Sequence, residues 1–133
     1  MIGPVSESIP ELSPSAFADE SFCYLTTTGR HTGRLHTIEI WFAFDHGVVY
    51  LMAGGRDRSD WVRNVLAHAD VTLRIGTQEW NARARVVEPD GEEDSRVRRL
   101  LRGKYASTAD DLVSWARTAL PVALEQLVSR APA

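Results

Sequence analysis

The sequence predicts an α+β fold: about six mostly antiparallel strands curled into a small barrel, one helix inserted among them and further helices near the C-terminus. Three observations lead there. Short runs rich in β-branched and aromatic residues alternate apolar and polar positions, glycine-bearing turns separate them at hairpin spacing, and helical periodicity appears once mid-chain and again beyond Pro89. At 133 residues the chain suffices for one compact domain with a core and is short for two. Residues 16–133 therefore read as a single domain behind a loose arm, 1–15, rich in glycine, proline and serine.

A short helical turn over Ala16 to Glu20 leads into FCYLTTT, a strand from Phe22 to Thr28. Gly29 and Gly33 bracket the turn that follows. From His36 to Phe44 one strand is expected, with Ile38, Ile40, Phe42 and Phe44 on one face and Thr37, Glu39, Trp41 and Ala43 on the other. Asp45, His46 and Gly47 then turn the chain into VVYLMA, which Gly54 and Gly55 end. Trp61, Val62, Val65, Leu66 and Ala69 fall at helical spacing, with Asp57 or Ser59 as N-cap and Asp70 at the close. VTLRI and EWNARARVV form a second hairpin around Gly76 and Thr77, its last strand setting Trp80, Ala82, Ala84 and Val86 inward. Val97, Leu100, Leu101 and Tyr105 mark an amphipathic helix from about Glu92, and Leu112, Val113, Trp115 and Ala116 mark another. Residues 120–128 fit a sixth strand or a last helix equally well. The edges of such a sheet need closure or a partner, which makes a homodimer an expectation.

A formal charge of −3 and a pI near 5.8 argue against nucleic acid or anionic lipid as partners, since both usually meet a clustered basic excess. Any anion site has to be local. Lys104 is the only lysine among 15 basic residues, so nearly every positive group is a planar fork suited to carboxylate or phosphate. Cys23 is the only cysteine, which excludes an intrachain disulfide and any thiolate metal cluster and fits a reducing, cytoplasmic setting. MIGPVSESIPELSPS lacks the basic leader and apolar run of a secretory signal, and no later segment approaches a membrane span.

The histidines, His31, His36, His46 and His68, lack the spacing of a ligand pair, and His36 and Glu39 on one strand would point to opposite faces, so no metal site is expected. Cys23 lies inside a strand pattern and reads as a small buried residue, and no serine occupies a nucleophile elbow. Glu92, Glu93 and Asp94 complement a helix dipole. Two clusters remain. Between Gly29 and His36, Arg30 and Arg34 are fixed charges, His31 and His36 adjustable ones, Thr32 adds a hydroxyl, no acid intervenes, and two glycines let backbone amides approach a ligand. Either this turn is simply solvated, or it holds a phosphate or carboxylate. Gly54, Gly55 and Arg56 end the third strand directly before the helix carrying Trp61 and Asn64, a junction that favours an anion, although Asp57 and Asp60 compete for the same amides.

Taken together, LTTTGRHTGR, the IWF strand, VVYLMAGGRDR, DWVRN with VTLRI, and EWNARARVV resemble the deazaflavin-dependent nitroreductase family. These are split β-barrels of the FMN-binding type, related to pyridoxamine 5'-phosphate oxidase and flavin reductases. The resemblance runs from about Phe22 to Val87. It implies that the arginine turn and the strand-to-helix junction hold the phosphate and lower chain of the deazaflavin coenzyme F-420 (8-hydroxy-5-deazaflavin), while neighbouring strands cradle its ring. Position by position it implies Arg30, His31, Thr32 and Arg34 for the phosphate, and His36, Thr37 and Ile38 along the ring. It further implies Gly54, Gly55 and Arg56 for the next ring and tail segment, with Trp61 and Asn64 on the helix behind.

The implied activity is that of an F-420-dependent reductase, nitroreductase- or quinone reductase-like, passing a hydride to an electrophilic organic acceptor: a quinone, a nitro compound or an enone. The alternatives are the same barrel using FMN, as a reductase or oxidase, and a non-catalytic flavin- or deazaflavin-binding module. Tyr24, Tyr50 and His36 are candidate proton donors; nothing in the sequence selects among them, and no catalytic residue is assigned.

Overall fold

The computed structural model describes residues 17–106 and 112–130, so the expected arm at 1–15 lies outside the described residues. Among these, seven strands form one antiparallel sheet: β1 (Cys23–Thr28), β2 (Leu35–Ile40), β3 (Ala43–Asp45), β4 (Val48–Ala53), β5 (Asp70–Ile75), β6 (Gln78–Val86) and β7 (Leu120–Ser129). A 3₁₀ turn (Arg56–Arg58) and helix α1 (Asp60–Ala67) separate β4 from β5, while α2 (Glu92–Lys104) and α3 (Leu112–Thr118) separate β6 from β7.

The strand order is β2-β1-β5-β6-β7-β4-β3, so the two edge strands, β2 and β3, are neighbours in the chain with only Trp41 and Phe42 between them. Three peptide steps span at most about 11 Å. The sheet must therefore curl until its edges meet at that corner, giving a barrel that is closed at one point and split elsewhere. The single strand expected over His36–Phe44 is thus two strands, and the break has a chemical cause. Phe42 N–H donates to the Tyr105 hydroxyl at 3.0 Å, and the Phe42 carbonyl accepts from Lys104 Nζ at 3.0 Å, so neither backbone group is left for a ladder. The expected facing survives the break: Phe42 is buried in the barrel core with Ile38, Ile40 and Phe44 packed against it, while Trp41 and Ala43 join a second core outside.

Residues 120–128 belong to β7, a central strand between β6 and β4, which brings the count to seven instead of about six. Its run Pro121–Leu124 is buried because the barrel interior covers one face and α2 and α3 the other. Pro121 is tolerated near the strand's start, where its carbonyl still accepts from Val87 N at 3.0 Å. Smaller differences are local. The first strand begins at Cys23, Asp70 opens β5 instead of closing the helix, and Ser59 takes the N-cap position of α1 without a side-chain cap bond. Leu66, expected on the apolar helix face, is exposed.

Two cores result. Leu25, Leu51, Leu73, Trp80 and Leu124 fill the barrel, which α1 closes through Val65. Outside it, α2 and α3 cover β4 and β7 through Val97, Leu101, Tyr105 and Ala116 against Tyr50, Met52 and Ala123. A charged staple adds to this second core. Glu93 accepts two bonds from Arg85, at 2.9 and 2.8 Å, and one from Tyr50 Oη at 2.6 Å, while Arg85 Nε reaches Glu125 at 2.9 Å.

Tyr105→Phe should lower unfolding free energy by about 1–3 kcal/mol, because it leaves the buried Phe42 N–H without an acceptor. A urea titration whose midpoint does not move would refute this role. A pH series tests the staple. Arg85 holds the Glu93 carboxyl well below its ordinary value of 4.5, at about 2. Its stabilising contribution is therefore complete above pH 4.5 and is lost as pH falls towards about 2. The melting temperature should fall through that window, and Glu93→Gln should flatten the slope while lowering the plateau near neutrality.

Candidate functional site

The split in the barrel is bounded by two strand edges. β2 pairs only with β1, and β4 pairs with β7 on one side but with β3 only over Val48–Tyr50 on the other. The edge Leu51–Ala53 of β4 and the outer edge of β2 thus carry backbone groups with no strand partner. Both edges run from the Trp41–Phe42 corner, and the segments that the family resemblance singles out flank the opening: His36, Thr37 and Ile38 on β2, and Gly54, Gly55 and Arg56 just past β4.

At the corner end lies a cleft of about 450 Å³ lined by Phe22, Glu39, Ile40, Trp41, Met52 and Trp115. Its aromatic wall is rigid. Trp41 stacks on Tyr105 with ring centroids 4.1 Å apart and an interplanar angle of 3°, and meets Trp115 edge-on at 5.4 Å and 83°. Gly54 faces the same indole, where a Cβ would stand 3.6 Å from Trp115. Sequence reading placed none of these wall residues in a site. Trp41, Tyr105 and Trp115 each occupied an ordinary core position in its own element, and no spacing signal joins residues so far apart in the chain.

At the other end of β2 sits the Gly29–Arg34 turn, closed by Gly29 N to Arg34 O at 2.7 Å and Gly33 N to Gly29 O at 2.9 Å, with Gly33 at φ 75°. Arg30 is turned onto α1. Its backbone N and Nη1 donate to Asn64 Oδ1 at 3.1 and 2.9 Å, and Nη2 pairs with Asp60 at 3.2 Å. An acid absent from the turn's own sequence is thus supplied by the helix. Asn64 is buried and spends its amide on Thr27 Oγ1 at 3.3 Å, so it clamps turn to helix. Thr32 Oγ1 accepts from Arg34 N at 3.2 Å. The exposed guanidinium of Arg34 has no partner among the described residues, and His31 is exposed beside it.

The remaining sequence-predicted residues divide. The His36 ring lies over Gly29, where a Cβ would come within 2.9 Å of Nε2. Thr37 points to the opposite sheet face, its hydroxyl 2.7 Å from that of Thr26. Ile38 and Trp61 pack against the barrel core. At Gly55 a Cβ would strike Ser59 Oγ at 2.7 Å. Arg56, at φ 54°, donates to the Thr118 carbonyl at the end of α3 and lines a separate cavity with Asp57, Leu66 and Leu120. Arg30 and Arg56 therefore share no partner within the protein.

Several reactive groups are internally committed. Burial pushes the Cys23 thiol up to about 12, in line with an inert core residue. Burial raises Tyr50 as well, and its hydroxyl donates to Glu93. Tyr24 Oη donates to Glu39 at 3.2 Å. Desolvation lowers Lys104 to about 8, its ammonium 3.5 Å from the Phe42 ring centroid. Among the described residues no group of three or more His, Cys, Asp or Glu could hold a metal, and no helix is long and apolar enough to cross a membrane.

Comparison with known proteins gives this geometry a family. The F420H(2)-dependent quinone reductase family model matches residues 15–126. No curated protein matches. Among solved structures, an F420-H2 dependent reductase (FDR-A) is 24% identical with a TM-score of 0.62, covering 81% of this chain and 94% of its own. A candidate pyridoxamine 5'-phosphate oxidase of Listeria innocua is 17% identical with a TM-score of 0.64 over 90% and 98%. A domain-swapped dimer is 21% identical with a TM-score of 0.66 over 79% and 80%. These three likenesses are of fold, the split β-barrel. The family match covers most of the chain, and with it the arginine turn, both edges of the split and the aromatic cleft: the chain belongs to the F420H(2)-dependent quinone reductase family, an oxidoreductase whose coenzyme is F-420.

Proposed function

We propose that this protein passes a hydride from reduced F-420 to an electrophilic organic acceptor, a quinone, nitro compound or enone, held against the Trp41–Trp115 wall. The observation that carries the reading is the pairing of a flat apolar cleft with a cationic turn at opposite ends of one strand, β2. A ring-bearing coenzyme with an anionic tail needs both. The residues present fit such a group. The cleft volume of about 450 Å³ lies within the ordinary range for small-molecule sites, and Arg34 is an uncommitted planar cation at the turn.

When bound, the reduced coenzyme supplies the hydride; the protein supplies position and environment. Arg34 and His31 would hold the tail's anion. Arg30, locked to Asn64 and Asp60, fixes the turn they stand on and so acts as a positioning residue. The free edges of β2 and β4 offer backbone donors and acceptors to a polar ring edge, and His36–Ile38 and Gly54–Arg56 flank that ring. Trp41, Trp115 and Met52 exclude water and fix the acceptor's plane, which is how a bimolecular transfer gains from alignment.

The outer face of β2, β1 and β5 is covered by no helix among the described residues, and exposed Leu35 and Val128 stand on it or beside it. Together with the dimeric structural neighbour, this supports a homodimer through the Leu35 end of that face, away from Glu39 at the other end of β2.

Three measurements test these readings. Parallel fluorescence titrations with F-420 and FMN should show tighter binding of F-420. Arg34→Ala should weaken F-420 about tenfold, or about 1.4 kcal/mol, whereas Arg56→Ala should cost less because its guanidinium already serves Thr118. Equal losses would remove the distinction between the two arginines. Stopped-flow mixing of reduced coenzyme with menadione should give acceptor-dependent oxidation; tight coenzyme binding without it would leave a binding module. Sedimentation should show a dimer that Leu35→Asp dissociates.

A further inference from the structure

Of the residues lining the aromatic cleft, Glu39 alone carries a formal charge. The strand's alternation sets its side chain on the same face as Trp41, the wall of the cleft, and it is exposed. One carboxylate oxygen accepts from Tyr24 Oη at 3.2 Å; the other has no partner among the described residues.

Among the described residues no cation forms an ion pair with it. Arg74, in the same row across β1 and β5, lies 4.2 Å over the Tyr24 ring and donates to the Gly76 carbonyl at 2.9 Å, so it meets the tyrosine and forms no ion pair with Glu39. Lys104 is spent on the Phe42 carbonyl, with Cys23, Asp19 and Glu20 as its electrostatic neighbours. Arg56 is drawn to Thr118. The cleft therefore carries a negative charge at its rim, while the unpaired guanidinium of Arg34 stands at the opposite end of β2.

We propose that Glu39 is a specificity residue that makes the cleft selective for flat acceptors that are neutral or cationic and rejects anionic ones. The inference rests on the reading of the cleft as the acceptor site. At a separation of about 5 Å, with rim-like screening, like charges repel enough to change affinity roughly tenfold. The same charge disfavours a coenzyme lying the wrong way round, with its anionic end at the corner.

The test uses binding first and turnover second. Isothermal titration calorimetry on the full chain would compare neutral menadione with a naphthoquinone sulfonate of similar outline, in wild type and in Glu39→Gln, which keeps an acceptor for the Tyr24 hydroxyl. Wild type should prefer the neutral quinone by about tenfold or more. The variant should tighten the sulfonate at least fivefold, leave menadione unchanged, and lose the salt dependence of the discrimination. An unchanged ratio, a parallel loss for both ligands, or failure of menadione to bind would overturn the proposal. Reduced coenzyme then separates the two readings. Discrimination in binding without reduction of either quinone would leave the selectivity standing and remove the enzymatic role. Reduction of both quinones with equal kcat/KM in both proteins would keep the enzyme and remove Glu39 from its specificity.

Discussion

The fold depends on a two-residue corner. Trp41 and Phe42 are all that separates the two edge strands, β2 and β3, of a seven-stranded sheet, so chain connectivity alone forces the sheet round on itself. Tyr105 and Lys104 at the end of α2 then hold that corner by taking both backbone groups of Phe42 out of the strand ladder. A buried N–H without a partner is costly, and here one phenol supplies the acceptor while its own proton reaches the carbonyl of Ser21 or of Phe42, at 2.8 or 3.1 Å. The corner also aims side chains in opposite directions. Phe42 goes into the barrel and Trp41 goes out against Tyr105, where it becomes the floor of the cleft.

The split follows from the same constraint. β3 has three residues and covers only half of β4, so closing the sheet at the corner leaves the rest of β4 facing β2 without hydrogen bonds between them. Unpaired strand edges are a liability on an open surface. Within the curled sheet these two edges stand on either side of the split.

Charge is distributed with similar economy. Most of the arginines whose surroundings are described serve the scaffold. Arg85 and Arg98 are multiply bonded to carboxylates or helix-end carbonyls, Arg30 ties the turn to α1, and Arg56 satisfies the last turn of α3. At the turn, Arg34 has no partner among the described residues and exposed His31 lies nearby. A negative chain with a cationic turn thus involves no contradiction, because that charge need only be local.

Periodicity and turn chemistry determined the element types and the facing of nearly every core residue. Alternation at Ile38, Ile40, Phe42 and Phe44 is a local property of extended backbone, and it survives even where the strand breaks. The glycine turns, α1 and the hairpin into β6 were legible for the same reason, as were the motifs that mark the family. The break at Trp41–Phe42 was not, because its cause is a phenol 63 residues away. Nor could periodicity assign residues 120–128, since a run buried on both faces carries no alternation and becomes a strand only when β4 and β6 stand on either side. The candidate site divides along the same line. Arg34 and its turn are contiguous in the chain and could be read there, whereas the wall of Trp41, Tyr105 and Trp115, and the commitment of Arg30 and Arg56 to separate partners, exist only once distant segments have packed. Local backbone preference is written residue by residue, but which free groups are left over after packing is a property of the whole fold.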